Sequence, residues 1–203
     1  MVLDLFRKSF DPFIEAIAKR IPLKPNTISA LALFFAILAF FSYLKGFLII
    51  GSVMVLLNGL FDVLDGAVAK VKNMQSKRGD MVDHVLDRYA DVLIMLGLSF
   101  NCNVYLALVA IATVLLISYL GVESQALLSK RDYGGLLGRA DRLVLLIIIP
   151  IVQKLLGPCW TFLELNWNLI DLLMIYFIVV GTITVLQRSH RLWKELGDFR
   201  QQK

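Results

Sequence analysis

Four aspartates lie in two short stretches of the chain, at spacings that can hold a metal ion. They are Asp62 and Asp65 in the first stretch, and Asp83 and Asp87 in the second. Residues three or four apart share one face of an α-helix, so each pair presents its carboxylates together. Both stretches lie in apolar sequence, where ionisable groups are costly and usually face a functional, water-filled cavity. Two such faces in neighbouring helices predict one acidic cleft that binds divalent cations.

The ligand types indicate which cations the cleft prefers. It offers carboxylate oxygens and no nearby cysteine, which favours Mg²⁺ or Mn²⁺ over Zn²⁺ or copper. Gly66 and Gly79 suit positions where a bulky ligand approaches the backbone. His84 lies one residue off the carboxylate face, so it is predicted to support the site or face lipid rather than bind metal. A solvated helix end is the alternative interpretation of these charges, and four aspartates with two glycines make it the weaker one.

The helices that must position these residues are predicted to cross a membrane. The 203 residues are 58% hydrophobic and 18% charged, which is too apolar for a soluble domain. Most of six apolar segments reach the roughly 17–25 residues that span a bilayer. The segments are residues 27–44, 47–70, 80–101, 103–128, 142–157 and 168–188. The predicted fold class is an all-α polytopic membrane protein with six transmembrane helices.

The chain is predicted to be a single membrane domain, residues 1–203. Residues 2–20 alternate apolar and charged side chains, as in an amphipathic helix lying in the membrane interface. Within the domain, residues 1–24 hold this interfacial helix, 25–190 the six-helix bundle and 191–203 a cytoplasmic tail.

The basic residues predict the orientation. In a six-span drawing 18 of the 21 Lys and Arg residues fall on one side; Lys45, Arg88 and Lys154 do not. The positive-inside rule then places both termini and the acidic cleft in the cytoplasm. The basic pI is explained by this topology and by anionic ligands, without nucleic acid. Cys102 and Cys159 fall on the opposite side, and the sequence leaves open whether they pair, with inert thiols as the default.

The aspartate-rich stretch resembles the signature of the CDP-alcohol phosphotransferase (phosphatidyltransferase) family, D-x2-D-G-x2-A-R-x8-G-x3-D-x3-D. The chain departs from it once, with Lys70 in place of the arginine. Length and topology also fit, so the resemblance covers nearly the whole chain, and the overall pattern is most like archaeal members. The matching residues are Asp62, Asp65, Gly66, Ala69, Gly79, Asp83 and Asp87.

The resemblance implies a membrane enzyme of phospholipid biosynthesis, and the family also suggests a homodimer. Such an enzyme moves a lipid-phosphoryl group from a CDP-lipid, here CDP-archaeol or CDP-diacylglycerol, to an alcohol and releases CMP. It implies two Mg²⁺ or Mn²⁺ ions bridged by Asp62 and Asp83. Asp65 would complete the first site, and Asp87 would complete the second and take the proton of the attacking hydroxyl. The implied CDP-lipid contacts are Asn26, Thr27, Ser29, Gly66, Ala69, Lys70, Ser76 and Gly79.

The acceptor is predicted from the basic, glycine-rich segment 129–142. Arginine forks suit a phosphate, and Arg139 and Arg142 resemble the segment that grips inositol phosphate in some members of the family. Inositol 1-phosphate is therefore the expected acceptor and glycerol 3-phosphate the alternative; ordinary positive-inside charge is the simpler interpretation. A small cation carrier is the alternative of another class, but inverted repeats are not seen. The predicted acceptor contacts are Lys130, Arg131, Arg139, Arg142 and Arg191, with Arg188 as a further one.

Overall fold

The chain is built almost entirely from long helices. A computed structural model describes residues 14–130, 132, 134–157, 160–162 and 165–201. Within them, residues 14–20 form the helical segment α1, and a two-stranded antiparallel hairpin precedes the last helix. The all-α class is confirmed. The other elements are α2 (Pro25–Leu44), α3 (Leu48–Val71), α4 (Lys77–Ser99), α5 (Val104–Leu128), α6 (Arg139–Leu156), β1 (Trp160–Phe162), β2 (Leu165–Trp167) and α7 (Leu169–Gln201).

Four of these helices are long and apolar enough to cross a membrane: α2, α3, α5 and α7. Helices α4 and α6 lie where the third and fifth spans are predicted, but they are less apolar. Helix α4 carries the second aspartate pair, and α6 carries Arg139, Arg142 and Lys154 with Pro150 inside it. The count of six spans therefore stays a prediction. Helix α7 runs past the predicted end of the last span at residue 188, so the expected tail begins as helix.

The chain divides into two compact units, residues 1–97 and 98–203, and the single-domain organisation stays a prediction. In the first unit, α2 and α3 pack through small and polar side chains. Buried Asn58 donates from Nδ2 to Ala32 O at 2.9 Å. The Tyr43 hydroxyl lies 3.2 Å from Ser52 Oγ. Such small, hydrogen-bonded contacts hold helices together where lipid removes the hydrophobic driving force.

Helices α1 and α4 complete the first unit. Ala18 of α1 is fully buried in a cluster with Ile28 and Val68, which joins α1 to α2 and α3. Gly97 of α4 lies so close to α2 that a Cβ there would stand 2.7 Å from the backbone of Phe40. A larger residue at position 97 would therefore push α4 away from α2. These contacts place α4 against α2 and α3, and α3 carries Asp62 and Asp65.

The second unit is organised around α7, which packs on α5 and α6. Its first turn is held by a polar network in which Asp171 accepts backbone hydrogen bonds from Asn103 at 2.6 Å and from Asn168 at 3.0 Å. The Asn168 side chain donates to Asn101 O at 2.8 Å. Asp171 is only 6% exposed, and its neighbours satisfy the charge, so the network fastens α7 to the loop before α5.

Candidate active site

The two aspartate faces meet in the first unit. Carboxylate oxygens of Asp62 and Asp65 on α3 and of Asp83 on α4 all lie within 4.8 Å of one another. At that separation two carboxylates repel by roughly 3 kcal/mol at an effective dielectric constant of about 20. A divalent cation offsets this repulsion, and three convergent carboxylate oxygens are donors that Mg²⁺ and Mn²⁺ prefer. The residues present therefore fit a metal site of this type.

A second group of possible ligands lies on α4. Asp83, His84 and Asp87 also offer ligand atoms within 4.8 Å of one another, and His84 Nδ1 is 3.9 Å from Asp83 Oδ2. Asp83 therefore belongs to both groups. The structure places His84 at the cluster itself, where the sequence predicts only a supporting or lipid-facing role. His84 and Asp87 are three residues apart, a spacing that makes them neighbours on a helix surface. The prediction considered only the face shared by Asp83 and Asp87 and therefore missed this signal.

Arg88 and Asp91 are further charged residues at this site that the sequence reasoning missed. Arg88 Nη2 lies 3.7 Å from Asp87 Oδ2, and its Nη1 lies 3.5 Å from Asp91 Oδ2. Asp87 and Asp91 are each 7% exposed. The available signal is the spacing, because Asp91 repeats the four-residue step from Asp83 to Asp87. The guanidinium between two buried carboxylates offsets their charge and limits the orientations of Asp87.

Part of the predicted CDP-lipid set is brought together beside the acidic cluster. Ser76 Oγ accepts a hydrogen bond from Gly79 N–H at 3.0 Å. A Cβ at Gly79 would lie 3.2 Å from Ser76 Oγ and 3.8 Å from Asn26 Oδ1, so glycine keeps this space open. At Gly66 a Cβ would meet no atom within 4 Å. Both glycines thus border room that a ligand can enter.

The other predicted CDP-lipid residues differ in exposure. Thr27 is exposed and Ala69 is half-buried. Ser29 is buried, and its hydroxyl donates to Pro25 O at 3.2 Å. Its hydroxyl is thus turned to the helix backbone, which makes Ser29 a weaker candidate than Asn26 or Thr27.

Lys70, the departure from the family signature, binds the N-terminal helix. Its Nζ donates to Glu15 Oε1 at 2.8 Å, and this hydrogen bond together with the lysine charge lowers the pKa of Glu15. Nearby, Lys72 Nζ donates to Ile21 O at 2.7 Å and to Leu23 O at 3.1 Å. The end of α3 therefore holds both α1 and the connection from α1 to α2.

The predicted acceptor residues lie in the second unit and fall into two groups. Arg139 and Arg142 lie in the first turn of α6, half-buried and 5% exposed respectively. Lys130 is exposed, and Arg131 lies outside the described residues. Arg188 and Arg191 instead donate hydrogen bonds to other groups of the protein itself. Arg188 donates to Gly134 O at 2.8 Å and to Ile117 O at 2.6 Å.

Arg191 has an acidic partner. Its Nε and Nη2 each lie 3.0 Å from Asp132 Oδ2. Lys130, Asp132, Arg191 and Glu195 line a cavity of about 220 Å³. Two carboxylates in this lining oppose the binding of a phosphate there. Among the described residues, the arginines of α6 are therefore the stronger acceptor candidates.

The glycines of segment 129–142 have a packing role that the sequence does not reveal. Gly135 adopts φ +130°, and a Cβ there would collide with the methyl group of Thr184. A Cβ at Gly134 would lie 2.8 Å from Arg191 Nη1. Leu137 N–H also donates to Thr184 Oγ1 at 3.1 Å. The segment lies directly on α7, and glycine is needed at position 135 for this close approach. At position 134 the flexible end of the Arg191 side chain could shift to admit a Cβ.

Cys102 and His190 lie in the second unit and do not belong to the acidic cluster. Cys102 lies in the loop before α5 and forms no disulfide with another described residue. Burial, and secondarily the Asp171 charge, raises the pKa of Cys102 to about 12. Cys159 lies outside the described residues, so pairing with Cys102 stays open. His190 is exposed on α7.

Comparisons with known proteins agree with this arrangement. A family model described as CDP-alcohol phosphatidyltransferase matches residues 23–186. The archaetidylinositol phosphate synthase of Methanothermobacter thermautotrophicus is 28% identical, over 96% of this chain and 96% of its own. The phosphatidylinositol phosphate synthase of Mycobacteroides abscessus is 27% identical, over 92% of this chain and 84% of its own.

Solved structures show the same similarity. The phosphatidylinositol phosphate synthase of Mycobacterium tuberculosis with CDP-DAG bound has a TM-score of 0.74 and 26% identity, covering 89% of this chain and 93% of that one. The same protein in complex with manganese and citrate also gives 0.74, with 25% identity, covering 89% and 88%.

Proposed function

Because the chain belongs to the CDP-alcohol phosphatidyltransferase family, we propose that it transfers a lipid-phosphoryl group from a CDP-lipid to a phosphorylated alcohol and releases CMP. The convergence of Asp62, Asp65 and Asp83 is the observation that carries this proposal, because it joins the two halves of the family signature in space. The family match also favours an enzyme over the cation carrier.

We propose that two divalent ions, Mg²⁺ or Mn²⁺, are held at the acidic cluster. Asp62, Asp65 and Asp83 would hold the first ion, and Asp83 and Asp87 would hold the second, with Asp62 as a proposed further ligand of the second. When bound, such ions neutralise charge on the pyrophosphate and on the departing CMP. The donor set supports this, as does the manganese in the similar Mycobacterium tuberculosis structure.

In the proposed reaction Asp87 acts as the general base. The acceptor hydroxyl attacks the phosphorus that carries the lipid, the bond from that phosphorus to CMP breaks, and the hydroxyl proton passes to the Asp87 carboxylate. Burial and the adjacent Arg88 hold this carboxylate in place. The proposed nucleotide contacts are Asn26, Thr27, Ser29, Gly66, Ala69, Lys70, Ser76 and Gly79. The spaces beside Gly66 and Gly79 support them.

We propose inositol 1-phosphate as the acceptor, with Arg139 and Arg142 holding its phosphate. The first turn of α6 holds two arginines and one carboxylate, Asp141, which accepts a hydrogen bond from Gly138 N–H. The turn keeps a net positive charge, and the guanidinium forks suit a phosphate. The names of the similar synthases from an archaeon and from mycobacteria support an inositol phosphate. Glycerol 3-phosphate is the alternative. Lys130, Arg131 and Arg191 stay further contacts within this proposal.

The reaction class and its metals are tested by CMP release from purified protein. CDP-archaeol and CDP-diacylglycerol would each be offered with inositol 1-phosphate, glycerol 3-phosphate, serine or free inositol. We expect a phosphorylated acceptor to react best, activity to disappear in EDTA, and Mg²⁺ or Mn²⁺ to restore it. Full activity in chelator would contradict the metal sites, and a preference for serine or free inositol would contradict the phosphate pocket.

The acceptor residues are tested by KM. Arg139→Ala should raise the KM for inositol 1-phosphate about tenfold or more, because a charged hydrogen bond to phosphate contributes roughly 1.5–3 kcal/mol. The KM for the CDP-lipid should change little. Lys154→Ala, at the other end of the same helix, is the matched control. Equal KM changes for both substrates would indicate that Arg139 contributes to membrane orientation and does not bind the acceptor.

We also propose that the protein is a homodimer, with the acidic cluster and both termini in the cytoplasm. The distribution of basic residues supports the orientation. Light scattering in detergent measures the mass. Labelling in intact cells of single cysteines introduced at Lys45 and Lys194, with Cys102 and Cys159 replaced by serine, measures the sidedness. A monomer, or external labelling at position 194, would contradict these two points respectively.

A further inference from the structure

We propose that His84 is a nitrogen ligand of the second metal site, which makes the two metal sites chemically different. The inference rests on the proposed function, since it concerns the ions of that same acidic cluster. In the described structure Asp83, His84 and Asp87 each offer one ligand atom within 4.8 Å of the others. The first group, Asp62, Asp65 and Asp83, offers carboxylate oxygens alone.

The helix geometry explains why His84 reaches the cluster. Each residue of an α-helix turns by about 100°, so His84 lies about 60° from Asp87 and about 100° from Asp83 around α4. Asp87 thus stands between Asp83 and His84 on one side of the helix. Three side chains on a single turn can therefore close around one point beside α4.

The distance between the His84 ring nitrogen and the Asp83 carboxylate oxygen suits two ligands of one ion. His84 Nδ1 and Asp83 Oδ2 are 3.9 Å apart, which is too long for a hydrogen bond. Two ligands bound to one ion at about 2.1 Å each stand roughly 3 Å apart at right angles and about 4.2 Å apart when opposed. The observed separation lies between these limits. An ion between the two atoms therefore requires little rearrangement.

The partial exposure of His84 and Asp83 also fits a role as metal ligands. The side chains of His84 and Asp83 are 31% and 35% exposed, so water and ions can reach them. A simple ion pair between a protonated imidazole and Asp83 is the competing explanation of this pair. At this exposure and distance such a pair stabilises the fold very little. The presence of Asp87 within the same 4.8 Å favours a three-ligand site.

The mixed ligand set predicts different metal preferences at the two sites. Imidazole nitrogen suits transition metals, whereas carboxylate oxygens suit Mg²⁺ and Mn²⁺ alike. The first site should therefore accept either ion. The second site should select Mn²⁺ over Mg²⁺ and should also bind Co²⁺ and Zn²⁺ more tightly than an all-oxygen site does.

The chain offers a clean test because it contains only two histidines. Protein without a histidine tag would be loaded with Mn²⁺, and pulsed electron paramagnetic resonance would be used to detect nitrogen-14 coupled to the ion. We expect the coupling in the native protein, its loss in His84→Ala and its retention in His190→Ala. Titration with Mn²⁺ should show that the affinity of the second site is about tenfold or more lower in His84→Ala than in the native protein.

Several outcomes would overturn the inference. They are an absence of nitrogen coupling in the native protein, its persistence in His84→Ala, or its loss in His190→Ala. Binding of one Mn²⁺ at unchanged affinity by His84→Ala shows that the variant is folded, because Asp62, Asp65 and Asp83 are intact. The measurement uses metal alone. A native protein with nitrogen coupling but no CMP release would contradict the proposed function, whereas CMP release without the coupling would contradict only the role of His84.

Discussion

Lys70 and Glu15 form a hydrogen-bonded ion pair at 2.8 Å across 55 positions of the chain. The pair joins the end of α3 to the N-terminal helix at the only position where the chain departs from the family signature. A lysine is a compact charge that suits one carboxylate, whereas an arginine presents a fork that suits a phosphate pair. Since Lys70 is a proposed CDP-lipid contact, we expect Glu15 to compete with the CDP-lipid for it.

Replacing Glu15 with glutamine should strengthen CDP-lipid binding. Without the carboxylate, Lys70 no longer exchanges an ionic partner when the nucleotide binds. Exposed pairs contribute only weakly, so we expect the KM for the CDP-lipid to fall about two- to fivefold with kcat unchanged. Steady-state CMP release measures both. Glu195→Gln, an exposed acid of the second unit, is the control, and an unchanged or higher KM in Glu15→Gln would contradict the competition.

The shared position of Asp83 should be visible in metal stoichiometry. Asp83 belongs to both ligand groups, whereas Asp65 belongs to one. Asp83→Asn should weaken Mn²⁺ binding at both sites, while Asp65→Asn should leave one site at its native affinity. Isothermal titration with Mn²⁺ distinguishes the two variants, and both should lose at least about a hundredfold in CMP release. Retention of one tight site in Asp83→Asn would refute the sharing.

Arg188 should contribute to stability through the loop that it holds. It donates to the carbonyls of Gly134 and Ile117 and is 7% exposed. Arg188→Ala removes two charged hydrogen bonds, which should cost roughly 2–4 kcal/mol of unfolding free energy and lower the Tm in detergent. Arg191→Ala loses a half-exposed pair with Asp132 and should cost less than about 1 kcal/mol. An unchanged Tm in Arg188→Ala, with a higher acceptor KM, would make Arg188 a ligand instead.

Cys102 should react slowly with thiol reagents. Its pKa is raised from 9.0 to about 12 by burial and by Asp171. The reactive thiolate is thus about a thousandfold scarcer at pH 8 than for a thiol with the ordinary pKa. Labelling followed by mass spectrometry should show a rate that rises about tenfold per pH unit and levels off only near pH 12. Fast labelling at pH 8, or a disulfide with Cys159, would disagree with the buried thiol.

The sequence alone determines the membrane character, the helical class and the reaction family. These follow from local properties, because apolar length reports on spans and the spacing of Asp62, Asp65, Asp83 and Asp87 reports on helix faces. A signature of eight positions is read along the chain without any knowledge of packing. The helices α2, α3 and α5 accordingly begin and end close to their predicted bounds.

Only the tertiary structure decided which of these faces and side chains meet. His84 joins Asp83 at a distance set by side-chain rotamers, which helix periodicity does not specify. Lys70 meets Glu15 because Ala18 is buried against α2 and α3, a contact between residues far apart in sequence. Gly135 is required by the approach of Thr184. Such long-range contacts depend on how helices pack against one another, and a linear pattern of residue types records only the face that each helix offers.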